Sequence, residues 1–295
     1  VPNPCPAANG ADPDAEANQD RYVDPLFGSD ACPGSQQAPW KTLTRALSRV
    51  TGGQTLHLAG GSYAYDSQGG EHFSVPVPGG VTVAADLSGE AVILGEGADT
   101  GLVFLGSGAA SHLSLRGFGA GIVAKTGEIT LADVELLDDG CGLRLTGDAH
   151  AGVSGARITG GRVGIELHGG ASLDLSEGEL SGIGAACVLG AAILRLHDAA
   201  SARLDAVKVH DGFGRFELHD ASSMEIAGSA ITRVGVAGCG PGSALEVGGA
   251  SREVKREGAV GSLSPPAARA SPGRGHRTRA RRRAPWCPWG REAGR

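Results

Sequence analysis

Adjacent carboxylates, imidazoles in a column and an acid beside an aromatic ring are the groups in this sequence whose spacing chemistry could use. Asp138 and Asp139 stand together before Gly140-Cys141 and offer two carboxylates for proton transfer or for an oxygen-rich cation site. A structural reading competes, because Asp138 and Asp211 fall at equivalent corners of a repeat, where Asp suits a turn. His210, Asp211 and Phe213 bring an imidazole, an acid and an aromatic face together, all plausible sugar contacts. His168, His197 and His219 each follow a leucine of one column, and stacked imidazoles could ligate a metal. Yet Leu196-His197-Asp198-Ala199 and Leu218-His219-Asp220-Ala221 read as one corner repeated, and no convergent fourth ligand is evident, so neither metal nor cofactor is expected. Asp24 and Asp30 could hold Ca²⁺ in a Gly-containing loop or accept loop-stabilising hydrogen bonds. With no nucleophile motif or phosphate loop, no catalytic residue is assigned.

These groups need a scaffold, and the apolar positions supply it. Aligned on them, the chain shows three columns. The first is Leu131, Val153, Leu175, Leu204, Ile226; the second is Leu136, Ile158, Leu180, Val209, Ile231; the third is Val123, Leu145, Leu167, Leu196, Leu218, Val247. Short alternating segments broken by Gly pairs such as Gly160-Gly161 and Gly169-Gly170 read as strands joined by corners. The fold class expected is all-β: a right-handed, single-stranded parallel β-helix with three strands per coil of about 22 residues. A leucine-rich repeat has a similar period but wants an Asn or Cys column, and no Asn follows Asn18.

The residue before each apolar column should face solvent beside its equivalent one coil away. The signs there alternate: Glu135, Arg157, Glu179, Lys208 before the second column; Arg144, Glu166, Arg195, Glu217 before the third; Asp174, Arg203, Glu225 before the first. Neighbouring strands lie ~4.8 Å apart, so opposite charges attract by ~0.2–1 kcal/mol per exposed pair, and register is the larger gain. The pairing of Glu179 with Lys208 survives a longer step, so that coil carries an insertion, between Leu180 and Leu196. A second falls at the same corner two coils later, between Ile231 and Val247. Loops 182–192 and 235–243 should therefore wall a notch whose floor is His210-Asp211-Gly212-Phe213.

The ends read differently. Residues 1–20 look like a disordered spacer, 21–80 like an N-terminal cap with the first coil or coils, 81–250 like the β-helix, and 251–295 like a disordered basic tail. Twelve of the 26 Lys and Arg follow Ala250 but only three of the 32 acids, which leaves +9 on the tail and −15 on the remainder. The burst Arg277 to Arg283 could neutralise phosphates, but a solvated tail accounts for it and no nucleic-acid partner is expected. No apolar run approaches the ~18 residues of a membrane span. Among six cysteines, Cys5 could pair with Cys32 and Cys187 with Cys239, while Cys141 and Cys187 sit two coils and roughly 10 Å apart, too far to bridge.

The strings Tyr22-Val23-Asp24-Pro25, Gly28-Ser29-Asp30, Pro39-Trp40-Lys41-Thr42-Leu43 and Gly60-Gly61-Ser62-Tyr63 carry a resemblance. They are similar to the opening motif of a family of secreted bacterial proteins of unknown function, within the pectin-lyase-like β-helix superfamily. The likeness runs from about Tyr22 to Val83. A short helix with Leu43, Leu47 and Val50 on one face, stopped by Gly52-Gly53, would cap the first coil as in that family. A cap is needed because an open end exposes a sheet edge and the apolar lumen. The superfamily includes enzymes that cut polygalacturonate, and Asp138-Asp139-Gly140-Cys141 resembles the acidic pair of its hydrolases. The Asn-Thr-Asp, Gly-His-Gly and Arg-Ile-Lys strings that accompany the pair there are missing here. The expectation is a secreted or surface-tethered monomer that binds a glycan or other cell-envelope ligand without catalysis, through His210, Asp211, Phe213, Asp138 and Asp139. A polysaccharide lyase or glycoside hydrolase, and a structural spacer that binds nothing, are the alternatives.

Overall fold

The computed structural model describes Cys5 and residues 20–65, 70–86, 90–184, 190–232 and 234, with the strands Leu245–Val247 and Val254–Glu257. The chain winds as a right-handed parallel β-helix. Every coil contributes one strand to each of three parallel sheets, of ten, eight and eight strands among the described residues. The coil Glu128–Ala132, Glu135–Leu137, Cys141–Leu145 shows the pattern: one strand in the first sheet, one in the second, one in the third.

Register follows the apolar columns. Leu131, Val153, Leu175 and Leu204 stack in the first sheet, Leu136, Ile158, Leu180 and Val209 in the second, and Leu145, Leu167, Leu196 and Leu218 in the third. All are buried in one continuous lumen that also takes in the helix residues Leu43, Ala46 and Leu47. The expected third column is wrong at its first member. Ala124, not Val123, pairs with Leu145, and Val123 pairs with Arg144. That coil is one residue shorter than its successor, so every side chain upstream shifts face relative to a fixed 22-residue step. Val123 lies in a small second cluster outside the lumen with Ala120, Cys141, Val163 and Ala192.

The N-terminal cap is built from hydrogen bonds. The helix spans Leu43–Leu47, with Thr42 Oγ1 accepting from Arg45 N–H at 3.1 Å. Its first turn lacks an acid, and the buried Glu71 supplies one from elsewhere, accepting from the N–H groups of Leu43 and Thr44 at 2.6 and 2.8 Å. The helix ends at Ser48, before Gly52-Gly53, while Val50 continues its buried face. Asp24 and Asp30 hold loops: Asp24 Oδ1 accepts from Leu26 and Phe27, and Asp30 Oδ1 from Lys41 and Thr42. Cys5 and Cys32 form a disulfide. Cys187 and Cys239 lie outside the described residues.

The boundary expected at 250/251 is followed by one further strand. Val254–Glu257 adds a tenth strand to the first sheet, with Lys255 in register beside Glu225. That position extends the alternation Asp174, Arg203, Glu225 by one more opposite sign. No helix among the described residues is long and apolar enough to cross a membrane.

The charge rows pair as their signs require, but one of the three does not lie open as expected. Glu135, Arg157, Glu179 and Lys208 form an exterior row on the second sheet, with the Arg157 and Glu135 side chains 56 and 37% exposed. On the third sheet Arg144, Glu166 and Glu217 are buried instead of facing solvent. Arg144→Ala should therefore cost about 3 kcal/mol, the lower end for breaking a buried pair, because Arg195 still faces Glu166. Arg157→Ala should cost under about 1 kcal/mol. Urea denaturation of both variants checks this, and equal losses would refute the distinction.

Candidate functional site

Three outward surfaces carry the candidate groups, one at a corner and one on each of two sheets. The corner between the second and third sheets holds the residues singled out in the sequence. Asp138, Gly160, Gly182 and Asp211 occupy one row there, all with positive φ, and each N–H of the first three donates to the carbonyl of the next coil. Asp138 and Asp211 are thus three coils apart, roughly 14 Å at ~4.8 Å per coil. The structure brings His210, Asp211 and Phe213 together but leaves Asp138 and Asp139 apart from them. His210 sits between two carboxylates, with Nδ1 2.8 Å from Asp211 Oδ2 and Nε2 3.3 Å from Glu179 Oε1. Phe213 is 38% exposed beside them, its N–H donating to Ile183 O. Part of one wall expected for the notch, 185–189, and the whole of the other, 235–243, lie outside the described residues.

Asp139 is turned inward and only 3% exposed. Its Oδ1 accepts from Phe118 N–H at 2.8 Å, tying down the corner of the preceding coil, and its Oδ2 makes no hydrogen bond among the described residues. It lies over Gly121, where a Cβ would collide with Oδ2. Burial is the main cause that pushes this carboxyl up to about 7, with Asp138 adding to it against the Phe118 hydrogen bond. A ligand at the surface meets Asp138, not Asp139.

On the third sheet the alternating row is a continuous chain of ion pairs. Arg144 Nε meets Glu166 Oε2 at 3.1 Å, Arg195 reaches Glu166 Oε1 at 3.4 Å and Glu217 Oε2 at 2.6 Å, and Arg215 meets Glu217 Oε1 at 3.1 Å. Beside it the imidazoles stack, His168 on His197 and His197 on His219, each pair with ring centroids 4.6 Å apart. Burial lowers His197 to about 4, helped by His168, His219 and Arg195. At Glu166 burial works the other way, but the His168 hydrogen bond and the charges of Arg144, His168 and Arg195 outweigh it and hold the carboxyl at about 2.

The first sheet carries the surface that sequence reading missed. A trough of about 520 Å³ runs over it, lined by His150, Ser172, Ser201, Ser223 and, two residues on, Asp174, Arg203 and Glu225. The strands put these in two rows, His150–Ser172–Ser201–Ser223 and Asp174–Arg203–Glu225, on consecutive coils. His150 Nδ1 lies 2.8 Å from Ser172 Oγ. The signal was available: the serines recur at the same steps as the charge row, two positions ahead of it.

The raised Asp139 pKa has a definite sign. An acid that binds its proton more tightly folded than unfolded favours the fold at low pH, and that contribution is lost as pH climbs from about 3.8, its unfolded value, through about 7. Asp139→Asn cannot ionise. Its melting temperature relative to the parent should therefore rise between pH 5 and pH 8, measured by calorimetry across that range. A difference independent of pH would show that Asp139 is ionised in its pocket.

Comparison with known proteins adds little about chemistry. No curated protein matches the chain in sequence. Among solved structures it is similar to pectate lyase Pel9A, at 12% identity over 85% of this chain and 81% of that one, with a TM-score of 0.45. It is also similar to the GH136 lacto-N-biosidase from Eubacterium ramulus (11%, 75% and 56%, TM-score 0.42) and to a rhamnogalacturonan lyase (14%, 78% and 62%, TM-score 0.33). The β-helix itself is established by the pairing of the chain's own strands. Residues 26–133, which overlap the Tyr22–Val83 stretch that carried the resemblance, match the family described as "Protein of unknown function (DUF1565)".

Proposed function

We propose that this protein is a non-catalytic β-helix that binds an extended, hydroxylated polymer, an extracellular or cell-envelope polysaccharide, along the trough of the first sheet. The observation that carries the reading is the trough's lining. Serine hydroxyls donate and accept, Arg203 donates, and Asp174 and Glu225 accept, all repeated at the coil spacing over about 520 Å³. Charges of both signs alternate there, which suits a neutral or mixed polymer better than a polyanion. Among the described residues no Phe, Tyr or Trp lines the trough, so affinity must come chiefly from hydrogen bonds summed over successive coils. The Cys5–Cys32 disulfide fits an oxidising compartment and hence the secreted or surface-tethered state.

The corner His210–Asp211–Phe213 is the competing place for the same ligand, and Asp138 would extend it along the corner row. A glycan array followed by titration with oligosaccharides of increasing length tests the reading. Affinity should grow with length until the trough is spanned. Arg203→Ala should weaken binding roughly tenfold or more, the loss of one charged hydrogen bond, while Asp211→Ala with Phe213→Ala leaves it unchanged. The opposite pattern would move the site to the corner. Release of reducing ends or unsaturated products would make the protein an enzyme, and silence on every glycan would remove the binding reading.

A further inference from the structure

We infer that the third sheet carries a divalent transition-metal site formed by Glu166, His168 and His197, suited to an ion of the Zn²⁺ type. One ligand atom from each of the three lies within 4.8 Å of the others. Two nitrogens and one oxygen are the donors this class of ion takes, with a fourth position left to solvent. Bonds of ~2.0–2.1 Å place tetrahedral ligands roughly 3.4 Å apart, so the cluster must contract by about an ångström. The Glu166 Oε1 to His168 Nε2 separation is already 3.7 Å.

The backbone sets this triangle. Glu166 lies in the strand Val163–Leu167 and His168 directly follows its end, two residues on, and their side chains come within 3.7 Å of each other. The register of Leu167 with Leu196 puts His197 beside His168 on the next coil. His168 and His197 are stacked with their planes 3° apart, so a tilt of each ring, without backbone movement, turns their edges toward a common point.

Charge sets this group apart from the Glu217–His219 pair two coils on, where Glu217 is claimed on both oxygens, by Arg195 at 2.6 Å and Arg215 at 3.1 Å. Glu166 is held more closely on Oε2, by Arg144 at 3.1 Å, which orients the carboxylate in the way a ligand's own hydrogen-bond partner should. Its Oε1 meets Arg195 at 3.4 Å, the weakest contact of that guanidinium, which keeps Glu217 and the carbonyl of Gly190 at 2.6 Å each. A cation arriving at Oε1 therefore displaces little. Glu166 and His168 are 5 and 17% exposed, so the site is partly desolvated yet open on its outer side.

The test is Zn²⁺ titration of the full chain in competition with a chromophoric chelator, with His168→Gln, His197→Gln and His219→Gln in parallel. The parent and His219→Gln should bind alike. His168→Gln and His197→Gln should each lose on the order of tenfold or more, since losing a ligand costs at least as much as losing a ligand's supporting partner. Equal loss in His219→Gln, or no loss in the other two, would overturn the assignment. Co²⁺ added to the parent alone should give the visible absorption of a low-coordinate, imidazole-bound ion, and its absence would overturn the site whether or not any variant folds.

Discussion

The fold depends on one constraint, the in-register stacking of each coil on the last. Parallel strands ~4.8 Å apart make the nearest neighbour of every side chain its own equivalent one coil away. A leucine then stacks on a leucine, and a charge must meet its opposite or pay for like-charge contact. Inward positions become largely apolar columns, and outward positions become rows of repeated chemistry. Where the repeat would end exposed, other means stop it: a helix whose first N–H groups are satisfied by Glu71 and Thr42 closes the N-terminal end.

The same row has different energetics on different sheets. Glu135–Arg157–Glu179–Lys208 lies in water, where each pair is screened and contributes little beyond choosing register. Arg144–Glu166–Arg195–Glu217 follows the identical rule of alternation, yet it is largely withdrawn from solvent. There each charge requires its partner, because an orphaned ion in that environment is far costlier than an exposed one. The alternation is a device for register on the second sheet and a condition of solvation on the third.

This difference marks how far the sequence could be read. The columns and the sign of every cross-coil pair were legible because both repeat with the coil. Val123 was misplaced because its coil is one residue shorter, and a fixed period cannot register a deletion without the pairing that reveals it. The burial of Glu166 and of Asp139 was not legible either. An acid before an apolar column reads the same whether or not its face is covered, and coverage is a tertiary property. Asp138 and Asp139 look alike in the sequence, but one residue further along a corner reverses the direction of the side chain. The serine row of the first sheet is a different case, since its spacing was present and only its concavity was hidden.

Because the lumen of the described residues is filled with apolar side chains, it leaves no room for a ligand, and binding chemistry belongs on its outside. An outside surface of stacked coils is well suited to partners that are themselves repetitive, since contacts of the same kind recur at the coil spacing. It is less suited to a compact substrate, which needs groups converging from several directions. The trough of the first sheet meets the first description, with two rows of like groups running across successive coils. The cluster around Glu166 departs from it, because there the row's alternation places one carboxylate oxygen, which Arg195 reaches only at 3.4 Å, beside two imidazoles. The proposed polymer site and the proposed metal site would therefore arise from the same stacking rule on different faces, and the packed lumen between those faces gives neither a reason to depend on the other.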